Sequence, residues 1–232
     1  MKTGIYWQDP KYALKPGRGF IFDPSLVLYL PLHKLDGASF MSKDAYGHLC
    51  SVTGAIWTPN GREFDGTDDK ITSGAHAALA IADAITLEIW VNPFTIAAGT
   101  MTLFEVNAGV NSGISLNVNQ GAGGKMQGWF YGTDSAWHGT PGTAVLTAGR
   151  FLHLVITYDK KQFKEFADGI FQDQSVYTVA IETGSTQSAR MGENFAGSND
   201  FQGTVGEVRI YNRALTPLEI QQNYLATKWR YQ

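Results

Sequence analysis

Between Phe201 and Tyr224 the chain reads FQGTVGEVRIYNRALTPLEIQQNY, a period-two strand that runs straight into a fully signed helix start. Val208 and Ile210 fall on one side of the stretch from Val205 to Tyr211, while Glu207, Arg209 and Tyr211 fall on the other, as in a strand buried on one face. Asn212 to Ala214 turns the chain. Thr216 then stands as an N-cap, and Pro217 takes the first helical position, where its missing N–H costs nothing. Glu219 completes a capping box. Leu215 and Ile220 are spaced as a hydrophobic staple across that cap. The segment therefore predicts a closing strand followed by a short helix over Thr216 to Tyr224, packed near the end of the chain.

From Leu26 onward, runs of about six to nine residues recur between Gly, Asn and Asp turns, the spacing of a β-sandwich. The predicted strands are Leu26–Leu32, Ile56–Phe64, Lys70–Ser73, Thr86–Pro93, Thr102–Asn107, Gly113–Asn119, Lys125–Tyr131, Phe151–Tyr158, Phe163–Ala167, Phe171–Tyr177, Thr186–Met191 and Gly203–Asn212. Ala75–Ala82 is Ala-rich and predicts a helical turn or two. With 26 glycines and only 17% charged residues in 232, the chain suits a single all-β domain rich in tight turns. Residues 25–226 form that domain, preceded by an arm over 1–24 and followed by a tail over 227–232. In the arm, Pro10, Pro16, Gly17 and Gly19 break regular structure, while Tyr6, Trp7, Tyr12, Phe20 and Phe22 supply aromatic surface. Such an arm either folds along its own sandwich or docks on a neighbouring subunit.

A net charge of -3, with 18 Lys and Arg scattered along the chain, carries no footprint for nucleic acid. Cys50 stands alone, which excludes an intrachain disulfide and a cysteine-pair metal site. Asp9, Lys11 and Lys15 interrupt the N-terminus too early for a signal peptide, and no run is long enough to span a bilayer. The expectation is synthesis in a cytoplasm without a signal peptide and without membrane insertion.

The closing segment resembles the last strand and short helix of laminin G-like, concanavalin A-like lectin-glucanase domains. Upstream, LVLYLPL from Leu26, REFDGTDDKI from Arg62, ITLEIWVNP from Ile85 and RFLHLVITYDKKQFKEFADG from Arg150 follow in that family's order. The resemblance implies an all-β, two-sheet antiparallel jelly-roll sandwich with one short C-terminal helix. FDPSLVLYLPL followed by DAYGHLC is also similar to the lone lectin-like proteins of tailed-phage structural gene sets. That likeness implies a non-catalytic recognition or assembly module on a virion surface, as a capsid decoration or tail-associated protein that becomes extracellular by lysis. Its partners would be a glycan, other protein subunits of a larger assembly, or further copies of itself, with Tyr6, Trp7 and Tyr12 as the assembly arm.

Three sets of residues carry candidate chemistry. Asp65, Asp68 and Asp69, in FDGTDDK, offer either the hydrogen bonds of a tight turn or hard oxygen ligands for a structural calcium, with Asp65 and Asp68 as the leading ligands. No cofactor is required. Relatives often place a further carboxylate just before the Glu of the last strand, where this chain has Gly206. In MQGWFYGTDSAWHG, Trp129 and Tyr131 share a strand face, and Trp137 and His138 follow in the loop. Flat rings of this kind stack on sugars or cover a sheet or subunit face. A third set, Glu88, Trp90 and Asn92 with His153, Thr157, Glu207, Arg209 and Tyr211, forms either a cross-strand ion pair that holds register or a polar groove.

A catalytic site is not expected. Glycosidases of the jelly-roll class carry Glu-x-Asp-x-Glu or Glu-x-Asp-x-x-Glu on one strand face, and this chain has no such spacing. Glu165 and Asp168 are three apart and face opposite sides of a strand, with Asp168-Gly169 as the turn. QGAGGK at 120–125 lacks the spacing and hydroxyl of a phosphate-binding loop and reads as a hairpin. The competing function is a carbohydrate-active enzyme or its detached binding module, and the placement of Glu88, Glu105 and Glu207 separates the two.

Overall fold

The computed structural model describes residues 20, 23–96, 99–109, 111–119, 123–140 and 142–232. Tyr6, Trp7 and Tyr12 of the arm lie outside these residues, as do positions 120–122 of the glycine hairpin. The described strands in chain order are β1 (Leu26–Pro31), β2 (Ser39–Met41), β3 (Leu49–Thr53), β4 (Ile56–Thr58), β5 (Gly61–Asp65), β6 (Lys70–Ser73), β7 (Ile85–Pro93) and β8 (Thr100–Asn107). They continue with β9 (Ile114–Asn119), β10 (Lys125–Tyr131), β11 (Trp137–Gly139), β12 (Leu152–Tyr158), β13 (Gln162–Ala167), β14 (Ile170–Val176), β15 (Ser188–Met191) and β16 (Gln202–Tyr211), followed by α1 (Pro217–Thr227).

Period-two alternation sorts these strands into two eight-stranded antiparallel sheets. The first runs β14-β13-β12-β7-β16-β5-β4, with β1 also paired to β16; the second runs β11-β10-β9-β8-β15-β6-β3-β2. Leu87, Ile89, Leu154, Ile156, Val208 and Ile210 of the first sheet point inward and share one core with Leu103, Phe104, Ile114, Leu116, Met126 and Phe130 of the second. Leu103 and Phe104 both reach that core because the register shifts between Thr102 and Phe104. At Gly128 the sheets approach so closely that a Cβ would lie 2.5 Å from the Phe163 ring.

The expected two-sheet jelly roll with one C-terminal helix is what the chain forms, with several local differences. Ile56–Phe64 is not one strand: Pro59 and Asn60 turn it into the β4–β5 hairpin, and Gly61 presses against the Val205 carbonyl, where a Cβ would sit 2.0 Å away. Ala75–Ala82 yields only a 3-10 turn over Ala77–Leu79, because the backbone of His76 pairs with Gln187 and its Nδ1 accepts the Ala78 N–H. β2, β3 and β11 are short strands that the alternation did not disclose.

Outside the first sheet lies a second apolar layer. Tyr211, Val155 and Phe166 point away from the core and are covered by Leu215, Ile220 and Ala226 around α1, with Phe20 at the edge. The capping box forms in both directions, the Thr216 side chain accepting from the Glu219 N–H and Glu219 accepting from the Thr216 N–H. The end of the chain is part of this layer, since the buried Tyr231 ring stacks 4.6 Å from Trp90. The middle of the first sheet's outer face, over β7, β12 and β16, is therefore covered, while Phe171 on the edge strand β14 stays 48% exposed.

Candidate functional site

Outward positions of β8, β9 and β10 carry Thr102, Glu105, Asn107, Ser115, Asn117, Gln127 and Trp129, and the register sets them side by side. Trp129 lies opposite Ser115, Ser115 opposite Glu105, and Gln127 opposite Asn117. Together they floor a groove of about 780 Å³, which Trp137, Gln187 and Phe195 also line. The Trp129 indole lies over Gly139, where a Cβ would come within 2.8 Å of the ring, so the absence of a side chain there lets the ring rest on β11. Its Nε1 donates to Gln127 Oε1 at 3.3 Å.

The floor is preorganised. Asn107 Nδ2 donates to Glu105 Oε1 at 2.7 Å and the Phe195 N–H donates to Oε2 at 3.1 Å. Asn107 Oδ1 in turn accepts from Ser112 Oγ and the Gly109 N–H, both at 2.6 Å. Burial pushes the Glu105 carboxyl above its ordinary pKa, against the pull of these donors and of Arg190. Arg190 turns away toward Glu193 Oε1 at 2.9 Å and the Asn194 carbonyl, with its guanidinium 4.3 Å from the Phe195 ring centre. Hydroxyl-bearing ligands are what such a surface can hold: flat indole faces for C–H groups, amides for hydroxyls.

Of the predicted aromatic set, Trp129 and Trp137 line the groove. Tyr131 shares their face and meets the Trp137 ring edge-on at 5.3 Å. His138 faces the other way, against Phe130 and Tyr177, with Nε2 2.9 Å from Asp134 Oδ1, so it lies away from the groove. Asn107, Asn117 and Gln187 escaped the sequence reading. The polar alternation in FEVN and SLNVN was the available signal for the first two; Gln187 follows a loop and had none.

The charged set on the first sheet forms the register-holding pair. Glu88 lies opposite Arg209 in the β7–β16 ladder, and the Arg209 guanidinium hydrogen-bonds both Glu88 and Glu207. His153 Nε2 lies 2.8 Å from Glu88 Oε1, and Asn223 of α1 donates to Oε2 at 2.9 Å. Burial alone would raise the Glu88 pKa, but the charge of Arg209 and the His153 and Asn223 hydrogen bonds bring it down to about 2. The polar-groove alternative fails, because α1 and the chain end cover this face, with Trp90 Nε1 donating to Thr227.

Asp65, Asp68 and Asp69 bring one carboxylate oxygen each within 4.8 Å of one another, and these are the residues that could hold a metal. Two of the three already serve the turn: Asp65 Oδ1 accepts the Thr67 N–H and Asp69 Oδ2 accepts the Asp65 N–H, each at 2.8 Å. Gly206 does not lie across from this loop, since the register places Gln202 opposite Asp65. A side chain at 206 would run into the Tyr231 ring, 2.4 Å from its Cβ.

Two antiparallel sheets packed face to face around one core, with a single helix near the end of the chain, define a jelly-roll sandwich. The chain belongs to the concanavalin A-like lectin/glucanases superfamily, which residues 65–221 match. No curated protein matches its sequence. Among solved structures it is similar to domain 4 of AbnA, a GH43 extracellular arabinanase from Geobacillus stearothermophilus, in complex with arabinotriose (TM-score 0.72, 21% identity, 86% of this chain and 98% of that one). It is also similar to the Trypanosoma rangeli sialidase in complex with 2,3-difluorosialic acid (TM-score 0.69, 21% identity), of which it covers 34% while 90% of this chain is matched. The botulinum neurotoxin serotype D binding domain gives a TM-score of 0.67 at 13% identity, over 88% of this chain and 52% of that one. At these identities the likeness establishes the fold.

Proposed function

We propose that the protein is a non-catalytic glycan-recognition module whose site is the groove on the second sheet. The observation that carries this reading is the pairing of the Trp129 and Trp137 walls with a floor of side-chain amides and hydroxyls in one open groove. Shallow sugar sites are built this way, from a ring face and convergent polar groups. That the arabinanase domain was solved with arabinotriose lends the fold a precedent for holding a sugar. The test is a glycan array probed with the parent protein and with Trp129→Ala: the variant loses the parent's signals. An unchanged profile would remove the groove as the site.

Hydrolysis is the competing reading, and it needs two carboxylates about 5 to 9.5 Å apart in one cleft. Glu88 and Glu207 are both committed to Arg209 beneath α1, and Glu105 is the acid among the described residues of the groove. Incubation with glycans that the array identifies is expected to release no reducing ends.

The setting that fits the N-terminal resemblance is a virion surface, with the sandwich facing outward; mass spectrometry of purified particles would find the chain there or remove that setting. The Asp65–Asp69 loop is read as turn chemistry. A melting temperature that rises with calcium, falls again with chelator and does neither in Asp68→Asn would reverse that reading.

A further inference from the structure

From the register of the groove floor we infer a subsite for one uncharged sugar ring, set above Ser115, which packs its C–H groups on Trp129 and gives two neighbouring hydroxyls to the Glu105 carboxylate. This rests on the glycan reading above and deepens it. Trp129, Ser115 and Glu105 stand directly opposite one another on β10, β9 and β8, in one row across the second sheet. All three line the groove, each next in sequence to a residue of the opposite phase in the core: Phe130, Ile114 and Val106. Two strand steps separate the Trp129 backbone from that of Glu105, about 10 Å, a gap that one sugar ring with its outward hydroxyls bridges. Ser115 is the small residue between them and leaves that place open.

Glu105 has the acceptors for this role. It lines the groove with 8% of its surface exposed. Its Oε1 takes one hydrogen bond from Asn107 Nδ2, and its Oε2 takes one from the Phe195 N–H. Each oxygen of a carboxylate accepts two, so one lone pair remains on each. The two donors fix the plane of the carboxylate, and two acceptors held side by side match hydroxyls on adjacent ring carbons. Ser115 Oγ accepts from Asn117 Nδ2 at 2.9 Å, which leaves its own proton for a ligand oxygen.

The same carboxylate sets the charge. No Lys, Arg or His is among the described residues that line the groove, and Glu105 is its one acid. Arg190 lies opposite Glu105 on β15, but its Nη1 is given to Glu193 Oε1 and the Asn194 carbonyl. Lys125 stands four residues along β10 from Trp129, about 14 Å away. A sugar carboxylate would be desolvated beside a like charge, which is unfavourable on both counts.

The experiment is titration of the full chain, followed by saturation-transfer NMR, with matched pairs of probes. The methyl glycosides of glucose, galactose and mannose are the neutral members, and those of glucuronic, galacturonic and mannuronic acid are the acidic ones. At least one neutral glycoside is expected to bind, about tenfold or more tighter than its acidic counterpart, and Trp129→Ala abolishes that binding. Glu105→Gln weakens the neutral glycoside by about tenfold, the loss of a charge-assisted hydrogen bond, and narrows its margin over the acid. A merely structural disturbance of the floor would weaken both members alike. Ser115→Leu, which fills the ring's place and leaves Glu105 untouched, also abolishes binding, with circular dichroism confirming the fold of each variant. An acid that binds as tightly as its neutral counterpart would overturn the charge class and leave the glycan groove standing. Neutral binding, or a neutral-over-acid margin, that Glu105→Gln leaves unchanged would overturn Glu105 as the anchor. Should none of the probes bind, the single-ring subsite is overturned, and the array decides whether the groove takes any glycan.

Discussion

Glu165 has no exposed surface and reaches from β13 across the core to the opposite sheet, where it accepts from the Gly128 N–H at 2.7 Å and from the Thr140 hydroxyl. Its Oε2 has no hydrogen-bond partner among the described residues. Burial outweighs those two donors and, with Asp173 alongside, pushes its pKa up to about 7 from an ordinary 4.5. The consequence for stability has a definite sign. Below pH 4.5 the proton is bound in both states and ionisation contributes nothing. Between 4.5 and 7 the unfolded chain ionises while the folded one holds its proton, so stability falls as pH rises, by about 3 kcal/mol in all. Glu165→Gln keeps an acceptor for Gly128 and cannot ionise. Urea denaturation of parent and variant is expected to give a gap in the variant's favour that widens from pH 4.5 to pH 8; a gap constant across that range would show that Glu165 ionises normally. In the sequence this glutamate was a residue near a hairpin turn and no more, because which group faces it across the core depends on how two sheets stack.

At the scale of the element, α1 was legible almost completely, because capping is chemistry between residues three apart: Thr216, Pro217 and Glu219 do what their spacing implies. The last turn, to Thr227, was not, since it is held by distant groups such as Trp90, whose Nε1 donates to Thr227 Oγ1 at 2.9 Å. β3 and β11 were missed for a related reason: short strands with exposed alternate positions show little periodicity, and their pairing partners hold them. Thr216→Ala removes the cap and is expected to cost about 1 kcal/mol in urea denaturation. Beneath the helix the stakes are larger. Arg209→Met leaves Glu88 and Glu207 buried without their cation, and the expected loss is about 3 to 5 kcal/mol. The Glu88 contribution runs opposite in pH to that of Glu165: it is present above pH 4.5 and lost as pH falls toward 2. An Arg209→Met variant as stable as the parent at pH 7 would show that packing, not charge, holds this layer.

For the whole molecule, the sandwich separates what stabilises it from what it presents. The sealed face, with α1 over the Glu88–Arg209–Glu207 network, and the groove of Trp129 and Trp137 lie on opposite outer faces, with a common core between them. Trp129 and Trp137 were legible as rings on an exposed strand face, because aromatic side chains there stand out against a polar alternation; which neighbours share their groove depended on the order of β8, β9, β10 and β15, which no single strand discloses. That separation is testable as additivity, since sites more than about 7 to 10 Å apart with no shared partner combine within about 0.5 kcal/mol. Thr216→Ala should lower the unfolding free energy while leaving the glycan affinity proposed for the groove unchanged, and Trp129→Ala should abolish that proposed binding. In the double variant the two stability changes should sum within that margin. A cap variant that weakens glycan binding, or a double variant that departs from the sum by more than about 1 kcal/mol, would mean that strain in the helical layer is transmitted through the core to the groove. The rigid contact at Gly128, where the first sheet's Phe163 lies 2.5 Å from a would-be Cβ directly between Gln127 and Trp129 in the chain, is the place where such transmission would have to pass.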